Sequence, residues 1–334
     1  MKRLVSGIKP TGELTLGNYI GALKQFVLLQ DELKDYEFFI FIADLHAITT
    51  PQEKKHLRKN IKDIAALYIA CGLDPNRVNL FVQSEISEHL ELSYIMESTL
   101  YVSEMERMIQ YKEKRQNQEA GIRTSLLTYP ALMAADILLY DAAIVPVGED
   151  QTQHLELTRT AANRFNHLYN ETFIIPEAYV PKTGKRIMGL QNPLAKMSKS
   201  ETNSTKDYIL LLDDLNVVKN KIKSAVTDSD TKVYFDSTNK PGISNLLTIY
   251  SALTNISIKD LELKYENSTY GSFKSDLADV VANTLKPIQD KYNEIINSKE
   301  LDLILDQGRD NAKRIANRKI KKVYDKIGLG RKTK

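Results

Sequence analysis

The sequence predicts an α/β fold with a doubly wound parallel sheet, followed by a smaller all-α region. Continuous apolar runs of strand length, at residues 4–8, 37–43 and 79–83, alternate with segments whose apolar residues follow a helical period. From about Thr205 the strand signal disappears and helical periods remain. Because 334 residues exceed the usual size of a single core, we expect two domains, residues 1–200 and 201–334.

The first predicted strand leads through a turn at residues 9–12 into a helix start. From Asn18 onward the apolar residues recur at helical spacing. Unpaired N–H groups at a helix start attract phosphate oxygens, and Gly17, which has no Cβ, lets a ligand approach the backbone. Thr15 and Asn18 offer hydrogen-bonding groups beside it. An ordinary capped helix after a glycine-rich turn explains this stretch equally well.

The second predicted strand, residues 37–43, ends in a polar segment that contains His46. Polar side chains just past the carboxyl end of a parallel strand lie where ligands bind in open α/β sheets. His46 is therefore a candidate ligand contact, although a lone histidine is more often structural. Residues 52–70 and 88–114 are predicted to be helical.

A predicted helix that begins near Pro130 carries Tyr129, Met133 and Asp136 on one face, at spacings of four and three. A carboxylate in such an apolar helix is costly to bury without a partner. An aromatic ring and a methionine beside it describe a flat apolar slot with one hydrogen-bond acceptor. The alternative is that Asp136 pairs with a lysine or arginine or caps a neighbouring segment.

Residues 142–154 repeat the strand, turn and helix pattern. Val145 and Val147 end the predicted strand, and Gly148 turns the chain. Glu149 and Asp150 then fall at the helix start, where acidic residues complement the helix dipole. They are also suited to accept hydrogen bonds from a ribose or to hold an ammonium group.

A second motif, Lys196-Met197-Ser198-Lys199-Ser200, follows a segment that contains glycine and proline, so we expect it on a loop. Two lysines three residues apart, with hydroxyl groups beside them, suit the neutralisation of a polyphosphate as charge builds on it. Together with the turn around Gly17, this motif favours a nucleotide-binding site over a simple surface loop.

The rest of the chain is helical in period, at residues 209–212, 217–226, 243–253, 277–285 and 313–327. Its last stretch is rich in lysine and arginine, which suits either a phosphate contact or a solvated basic face. The single cysteine, Cys71, excludes an internal disulfide and a cysteine-cluster metal site. With no apolar run of about 18 residues and no signal-peptide pattern, we expect a cytoplasmic protein without a membrane partner.

These motifs resemble those of class I aminoacyl-tRNA synthetases. Thr15-Leu16-Gly17-Asn18 is similar to a variant of that family's His-Ile-Gly-His signature, and residues 196–200 match its Lys-Met-Ser-Lys-Ser loop. Residues 128–137 and 148–159 resemble the narrower group of bacterial tryptophanyl-tRNA synthetases. The resemblance runs over nearly the whole chain.

The resemblance implies a Rossmann-like catalytic domain at residues 1–200, which includes the loop 196–200. It implies a helical tRNA anticodon-binding domain at residues 201–334, whose last helix is able to pack back on the catalytic domain. Tryptophan would be activated by ATP with Mg²⁺ and transferred to its tRNA, tRNA(Trp), by a homodimer. Because the tryptophan carboxylate itself attacks the α-phosphate, the protein needs no nucleophile. Since Mg²⁺ comes with ATP, we expect no dedicated metal site in the protein.

Residue roles carry over by position. The implied ATP-binding residues are Lys9, Pro10, Thr11, Gly17, Asn18, Gly148, Glu149, Asp150, Ile187, Lys196, Met197, Ser198, Lys199 and Ser200. Of these, the implied catalytic residues are Asn18, Lys196, Ser198 and Lys199. The implied tryptophan-binding residues are Val5, Gly7, His46, Tyr129, Met133, Asp136, Val145, Val147 and Gln151, with Asp136 accepting the indole N–H.

Two positions depart from the family pattern. Val5 stands where relatives commonly have an aromatic residue, and Lys9 stands where many carry glutamine. Two other functions stay open from the sequence. A tyrosyl-tRNA synthetase shares the fold and both signatures, and a non-catalytic tRNA-binding paralogue would share the fold without the activity.

Overall fold

The computed structural model describes residues 1–10, 12–116, 121–148, 151–179, 186–199, 202 and 204–331. The predicted ATP-binding residues Thr11, Glu149, Asp150 and Ser200 lie outside this part of the chain. Five strands and fourteen α-helices lie within this part of the chain.

The strands form one parallel sheet. They are β1 (Lys2–Ile8), β2 (Tyr36–Ile42), β3 (Val78–Val82), β4 (Ile144–Pro146) and β5 (Glu177–Tyr179). Their order is β3-β2-β1-β4-β5. From β1 the chain adds β2 and β3 on one side, and it then crosses to the other side of β1 to add β4 and β5. The topological switch point therefore lies between β1 and β4. The predicted doubly wound parallel sheet is confirmed.

Helices surround the sheet and make up most of the chain after Thr205. They are α1 (Leu16–Asn18), α2 (Lys24–Glu32), α3 (Asp44–Ala47), α4 (Lys54–Ala70), α5 (Glu88–Glu97), α6 (Val102–Glu106), α7 (Ile109–Gln116), α8 (Thr124–Leu138), α9 (Thr152–Tyr169), α10 (Leu215–Lys223), α11 (Pro241–Thr254), α12 (Ile258–Lys264), α13 (Tyr270–Ile295) and α14 (Lys299–Ile327). A π-helical turn, Tyr19–Leu23, joins α1 to α2. None of the described helices is both long and apolar enough to cross a membrane.

The structure corrects the sequence prediction in two segments. Residues 88–114 are mostly helical, as predicted, and form α5, α6 and most of α7. The predicted helix at residues 209–212 is wrong, because Leu210 forms an isolated bridge with Thr15 in the turn before α1 and the chain turns directly after it. The backbone N–H of Leu16 donates to Ile209 O at 2.8 Å, and that of Leu211 donates to Leu14 O at 2.9 Å. Strand β5 was not predicted, since three residues carry no periodic signal.

Alternate residues of β2 face opposite sides of the sheet, which explains its uninterrupted apolar sequence. Phe38, Ile40 and Ile42 belong to one buried core, and Phe39 and Phe41 belong to the other. The first core continues without a break into α11 and α13. The helical region is therefore joined to the sheet by shared apolar packing.

The last helix, α14, packs back on the sheet. Its Gly308 lies directly against the backbone of Leu80 in β3. The buried ammonium group of Lys319 binds Asp141 at 2.5 Å and Thr172 O at 2.8 Å. The division of the chain at residues 200 and 201 stays a prediction, because α14 contacts the sheet and the helices alike.

We expect Gly308→Ala to lower the free energy of unfolding by about 3 kcal/mol, as overpacking does when the backbone must shift. A Cβ at this position would lie 2.0 Å from Leu80 O, and neither backbone is free to move away. Urea unfolding measures the change. The matched control is Gly271→Ala in α13, where a Cβ meets nothing closer than 3.7 Å and the effect should be neutral or slightly stabilising. Equal stability of the two variants would contradict the close packing of α14.

Candidate active site

A cavity of about 330 Å³ lies at the switch point, beside the carboxyl ends of β1 and β4 and against α8. Every residue that the sequence assigned to tryptophan binding lines it: Val5, Gly7, His46, Tyr129, Met133, Asp136, Val145, Val147 and Gln151. The rest of the wall consists of Ser6, Ile8, Lys9, Phe41, Ala43, Gln110, Ile137 and Pro146. The structure thus brings together side chains that are far apart in the sequence, whereas their contacts with a ligand stay a prediction.

The floor of the cavity depends on the absence of a side chain at Gly7. A Cβ added there would lie 2.5 Å from the ring of Phe41. Phe41 is buried between Phe81 and His89, so its ring has little room to move. Glycine at this position lets the aromatic ring occupy the floor while the space above it stays open.

The carboxylate of Asp136 is buried and held by hydrogen bonds from three directions. Nε2 of Gln83 donates to Oδ1 at 2.7 Å, and Nδ1 of His89 lies 2.7 Å from the same oxygen. Nε2 of His46 lies 2.8 Å from Oδ2. The other ring nitrogen of His89 is 2.8 Å from the hydroxyl of Tyr140, which fixes the orientation of the imidazole.

This arrangement keeps Asp136 ionised. Burial by itself would raise the pKa of the carboxyl group, but the hydrogen bonds from His46 and His89 outweigh it and lower the pKa to about 2. An ionised carboxylate has about four lone-pair positions, of which the described contacts use two on Oδ1 and one on Oδ2. One acceptor position on Oδ2 is therefore left in the wall of an otherwise largely apolar cavity.

Tyr129 forms a flat side of the cavity, and its hydroxyl group has two hydrogen-bonding partners. The hydroxyl lies 2.5 Å from Nε2 of His154 and donates to Oε1 of Gln110 at 3.1 Å. The ring of His46 meets that of Tyr129 edge-on, with the ring centroids 6.3 Å apart. The ammonium group of Lys9 lies 5.5 Å from the centroid of the Tyr129 ring. Lys9, predicted to bind ATP, is thus at the edge of the predicted tryptophan pocket.

The turn before α1 is closed by a reciprocal capping interaction. Oδ1 of Asn18 accepts from the backbone N–H of Thr15 at 2.9 Å, and the Thr15 hydroxyl accepts from the Asn18 N–H at 3.2 Å. A Cβ at Gly17 would lie 3.4 Å from Met197 and 3.6 Å from Ile187. Of the predicted ATP-binding residues, Gly17, Ile187 and Met197 therefore form one cluster beside this turn.

The described part of the lysine-rich loop is residues 196–199. It includes Met197, which belongs to the cluster beside Gly17. The side chain of Lys196 is exposed, and Nζ of Lys199 binds Oε2 of Glu13 at 2.5 Å. The hydrogen bond from Lys199 to Glu13 raises the pKa of the lysine. Pro10 is buried, Ser198 is half-buried, and Gly148 is exposed next to the cavity residue Val147. Lys199 is thus held beside the turn before α1 through its contact with Glu13.

Sequence reasoning missed the groups that hold the Asp136 carboxylate. Gln83 directly follows β3, so the rule that singled out His46 after β2 would have found it. His89 and Tyr140 carry no such signal, because the contacts of His89 with Asp136 and with Tyr140 depend on how α5 packs against α8. Glu13 was missed because nothing local links it to Lys199, which is 186 residues away.

The family model described as tRNA synthetases class I (W and Y) matches residues 1–286. The chain belongs to this family. A curated relative, the tryptophan–tRNA ligase of Bacillus subtilis (strain 168), is 57% identical over 333 residues, which cover 99% of each chain. The tryptophan–tRNA ligase of Bacillus anthracis is 54% identical over 332 residues and again covers 99% of each chain.

Solved structures of tryptophanyl-tRNA synthetases share the fold of this class I synthetase. The enzyme from Mycoplasma pneumoniae superposes with a TM-score of 0.88 at 37% identity and covers 99% of this chain and 98% of its own. The Campylobacter jejuni enzyme, solved in complex with ADP and tryptophan, has a TM-score of 0.84 at 36% identity and covers 98% of this chain and 100% of its own. A Rossmann-like α/β region followed by a helical region is therefore the family architecture.

The lowered pKa of Asp136 predicts a specific pH dependence of stability. Because the folded pKa lies below the ordinary value of 3.8, the ionised carboxylate stabilises the fold above that value and loses this effect as pH falls towards 2. We expect this contribution to be about 2 kcal/mol at pH 5 and roughly half of that at pH 3. Urea unfolding of the wild type and of Asp136→Asn at both pH values measures it.

Asp35→Asn, which alters an exposed carboxylate outside the site, is the matched control. The difference in unfolding free energy between wild type and Asp136→Asn should shrink on acidification, and the difference for Asp35→Asn should change much less. A difference for Asp136→Asn that is the same at both pH values would contradict the lowered pKa.

Proposed function

We propose that this chain is a tryptophan–tRNA ligase, which activates L-tryptophan with ATP to tryptophanyl-adenylate and pyrophosphate and then transfers tryptophan to the 3′ end of its tRNA. The observation that carries the proposal is the cavity at the switch point, where one ionised acceptor, Asp136, lies in a flat and largely apolar wall. The curated relatives that share more than half of its residues bear the same name.

In this proposal the indole N–H donates to the remaining acceptor position on Oδ2 of Asp136. The ring lies between Tyr129 and the valines of β1 and β4, and Gln151 holds the amino end. Phenylalanine would leave the buried carboxylate without this partner, which costs roughly 1–3 kcal/mol or more for a charged group. The wall would therefore reject a ring that has no N–H.

For the first chemical step, the substrate carboxylate attacks the α-phosphate of ATP and pyrophosphate leaves. The chain supplies positioning and charge rather than a nucleophile. Gly17 and Asn18 would bind the nucleotide at the helix start, Lys9 would face the α-phosphate or the carboxylate, and Lys196 to Ser200 would cover the phosphates. Mg²⁺ would arrive bound to the ATP phosphates and neutralise part of their charge.

Lys199 must then change partner during the reaction. Its ammonium group binds Glu13 in this structure, and both side chains are about half exposed. A phosphate that carries more negative charge than a carboxylate would compete for Lys199 as pyrophosphate leaves. Glu13 thus holds the lysine near the glycine turn until the nucleotide is in place.

We also infer that residues 1–200 form the catalytic domain and that residues 201–334 bind the tRNA anticodon region. The exposed basic face of α14, which includes Lys313, Arg314, Arg318 and Lys321, supports a contact with RNA phosphate. Exposed apolar side chains near α5 and α6, among them Leu90, Tyr94, Tyr101 and Val102, support a homodimer. A role in translation would place the protein in the cytoplasm.

Amino-acid-dependent exchange of pyrophosphate into ATP tests the function. The purified chain should support exchange with tryptophan and not with tyrosine or phenylalanine, and should then charge tRNA(Trp). Exchange with tyrosine alone would make it a tyrosyl-tRNA synthetase. Binding of tRNA without any exchange would make it a non-catalytic paralogue.

We expect Lys199→Ala to lower kcat of the exchange by about 100-fold, because its charge acts on the transition state. The dissociation constant of tryptophan should change little. Since the chain itself contains no tryptophan, the indole fluorescence of the substrate reports its binding directly. Lys206→Ala, an exposed lysine close to the loop, is the control and should leave both values unchanged. Equal losses in binding and in rate would contradict this role of Lys199.

A further inference from the structure

One buried amide of the helical region is bonded to the backbone that leads into the lysine loop. Asn245 on α11 is 5% exposed. Its Oδ1 accepts from the backbone N–H of Met188 at 2.9 Å, and its Nδ2 donates to Met188 O at 2.9 Å. The same Nδ2 reaches Gly189 O at 3.4 Å. A single side chain therefore satisfies both backbone groups of Met188, as a neighbouring strand would.

On its other side, the segment around Met188 pairs with the lysine loop. Met188 and Lys196 form an antiparallel bridge. The N–H of Gly189 donates to Ala195 O at 2.9 Å, and the N–H of Met197 donates to Ile187 O at 2.9 Å. Residues 187–189 are thus held between Asn245 and residues 195–197. A shift of the segment would move Lys196 directly.

Helix α11 is itself firmly fixed, so it offers Asn245 a rigid base. Lys240, just before the helix, is 3% exposed and binds Asp228 at 3.1 Å and Asp230 at 3.0 Å. A Cβ at Gly242 would lie 2.2 Å from Val226 O, so the first turn of α11 is packed against that backbone. The N–H of Val226 in turn donates to Leu190 O at 2.8 Å.

We propose that Asn245 is a positioning residue for amino-acid activation: it fixes the hairpin of residues 187–197 so that Lys196 and Lys199 meet the ATP phosphates. This inference rests on the proposed function. Ile187 and Met197, on the same hairpin, lie beside Gly17, so the hairpin sets the distance between the loop and the helix start. Charge stabilisation of a transition state is sensitive to small misplacements of the charged groups. Loss of the Asn245 amide should therefore slow the ATP-dependent activation step.

The test compares Asn245→Ala with Ser244→Ala by steady-state pyrophosphate exchange and by tryptophan binding. Ser244 is the preceding buried residue of α11, and its hydroxyl accepts from the N–H of Asp236 at 2.8 Å rather than contacting the hairpin. Asn245→Ala should raise KM for ATP and lower kcat, each by about tenfold. Its tryptophan dissociation constant should stay within about twofold of the wild type, since Met188 is not part of the cavity wall. Ser244→Ala should change none of these values beyond about twofold.

Kinetics of Asn245→Ala that equal those of Ser244→Ala, at a temperature where both are folded, would overturn the inference even if Asn245→Ala were less stable. Equal losses in tryptophan binding and in ATP-dependent rate would overturn it too, because they indicate a general disturbance. If Asn245→Ala does not fold, Asn245→Ser, which is neutral and small, is measured in the same way. It must likewise raise KM for ATP and lower kcat while leaving the tryptophan dissociation constant nearly unchanged. Absence of tryptophan-dependent exchange in the wild type would instead refute the proposed function.

Discussion

The candidate site depends on one electrostatic constraint, which is a buried carboxylate that must stay ionised. Asp136 sits in an apolar helix, where a charge without partners would be strongly unfavourable. Donors from the end of β3, from α3 and from α5 converge on it, as Gln83, His46 and His89. Because these donors come from three separate elements, the packing of the α/β region determines the position of one acceptor. The remaining wall needs only to be apolar and flat.

The helical region contributes more than a separate binding module would. Its helices share a core with the sheet, and α14 covers β3. Backbone groups of Ile209 and Leu211 hydrogen-bond to Leu16 and Leu14 in the turn before α1, and Asn245 bonds the hairpin that leads into the lysine loop. Movement of this region relative to the sheet would therefore displace the turn before α1. These contacts connect the helical region physically to the candidate site.

Much of this architecture could be predicted from the sequence, because its signals are local. A buried parallel strand needs apolar residues on both faces, as in β2, and an amphipathic helix shows its period directly. The wall residues Tyr129, Met133 and Asp136 could be grouped because one helix face presents them all. His89 and Asn245 could not be predicted, since each acts through a backbone or side chain brought near only by tertiary packing. The prediction of a helix at 209–212 was wrong for a similar reason, because the backbone there hydrogen-bonds to the turn before α1 instead of forming a helix.

The most direct test of the central claim is a crystal structure of this chain with tryptophan bound, in which the distance from the indole nitrogen to Asp136 is measured. We predict that the nitrogen lies about 2.7–3.2 Å from Oδ2, with Gln83, His46 and His89 still bonded to the carboxylate. An indole nitrogen that points away from Asp136, or a carboxylate that has left these partners, would contradict the claim.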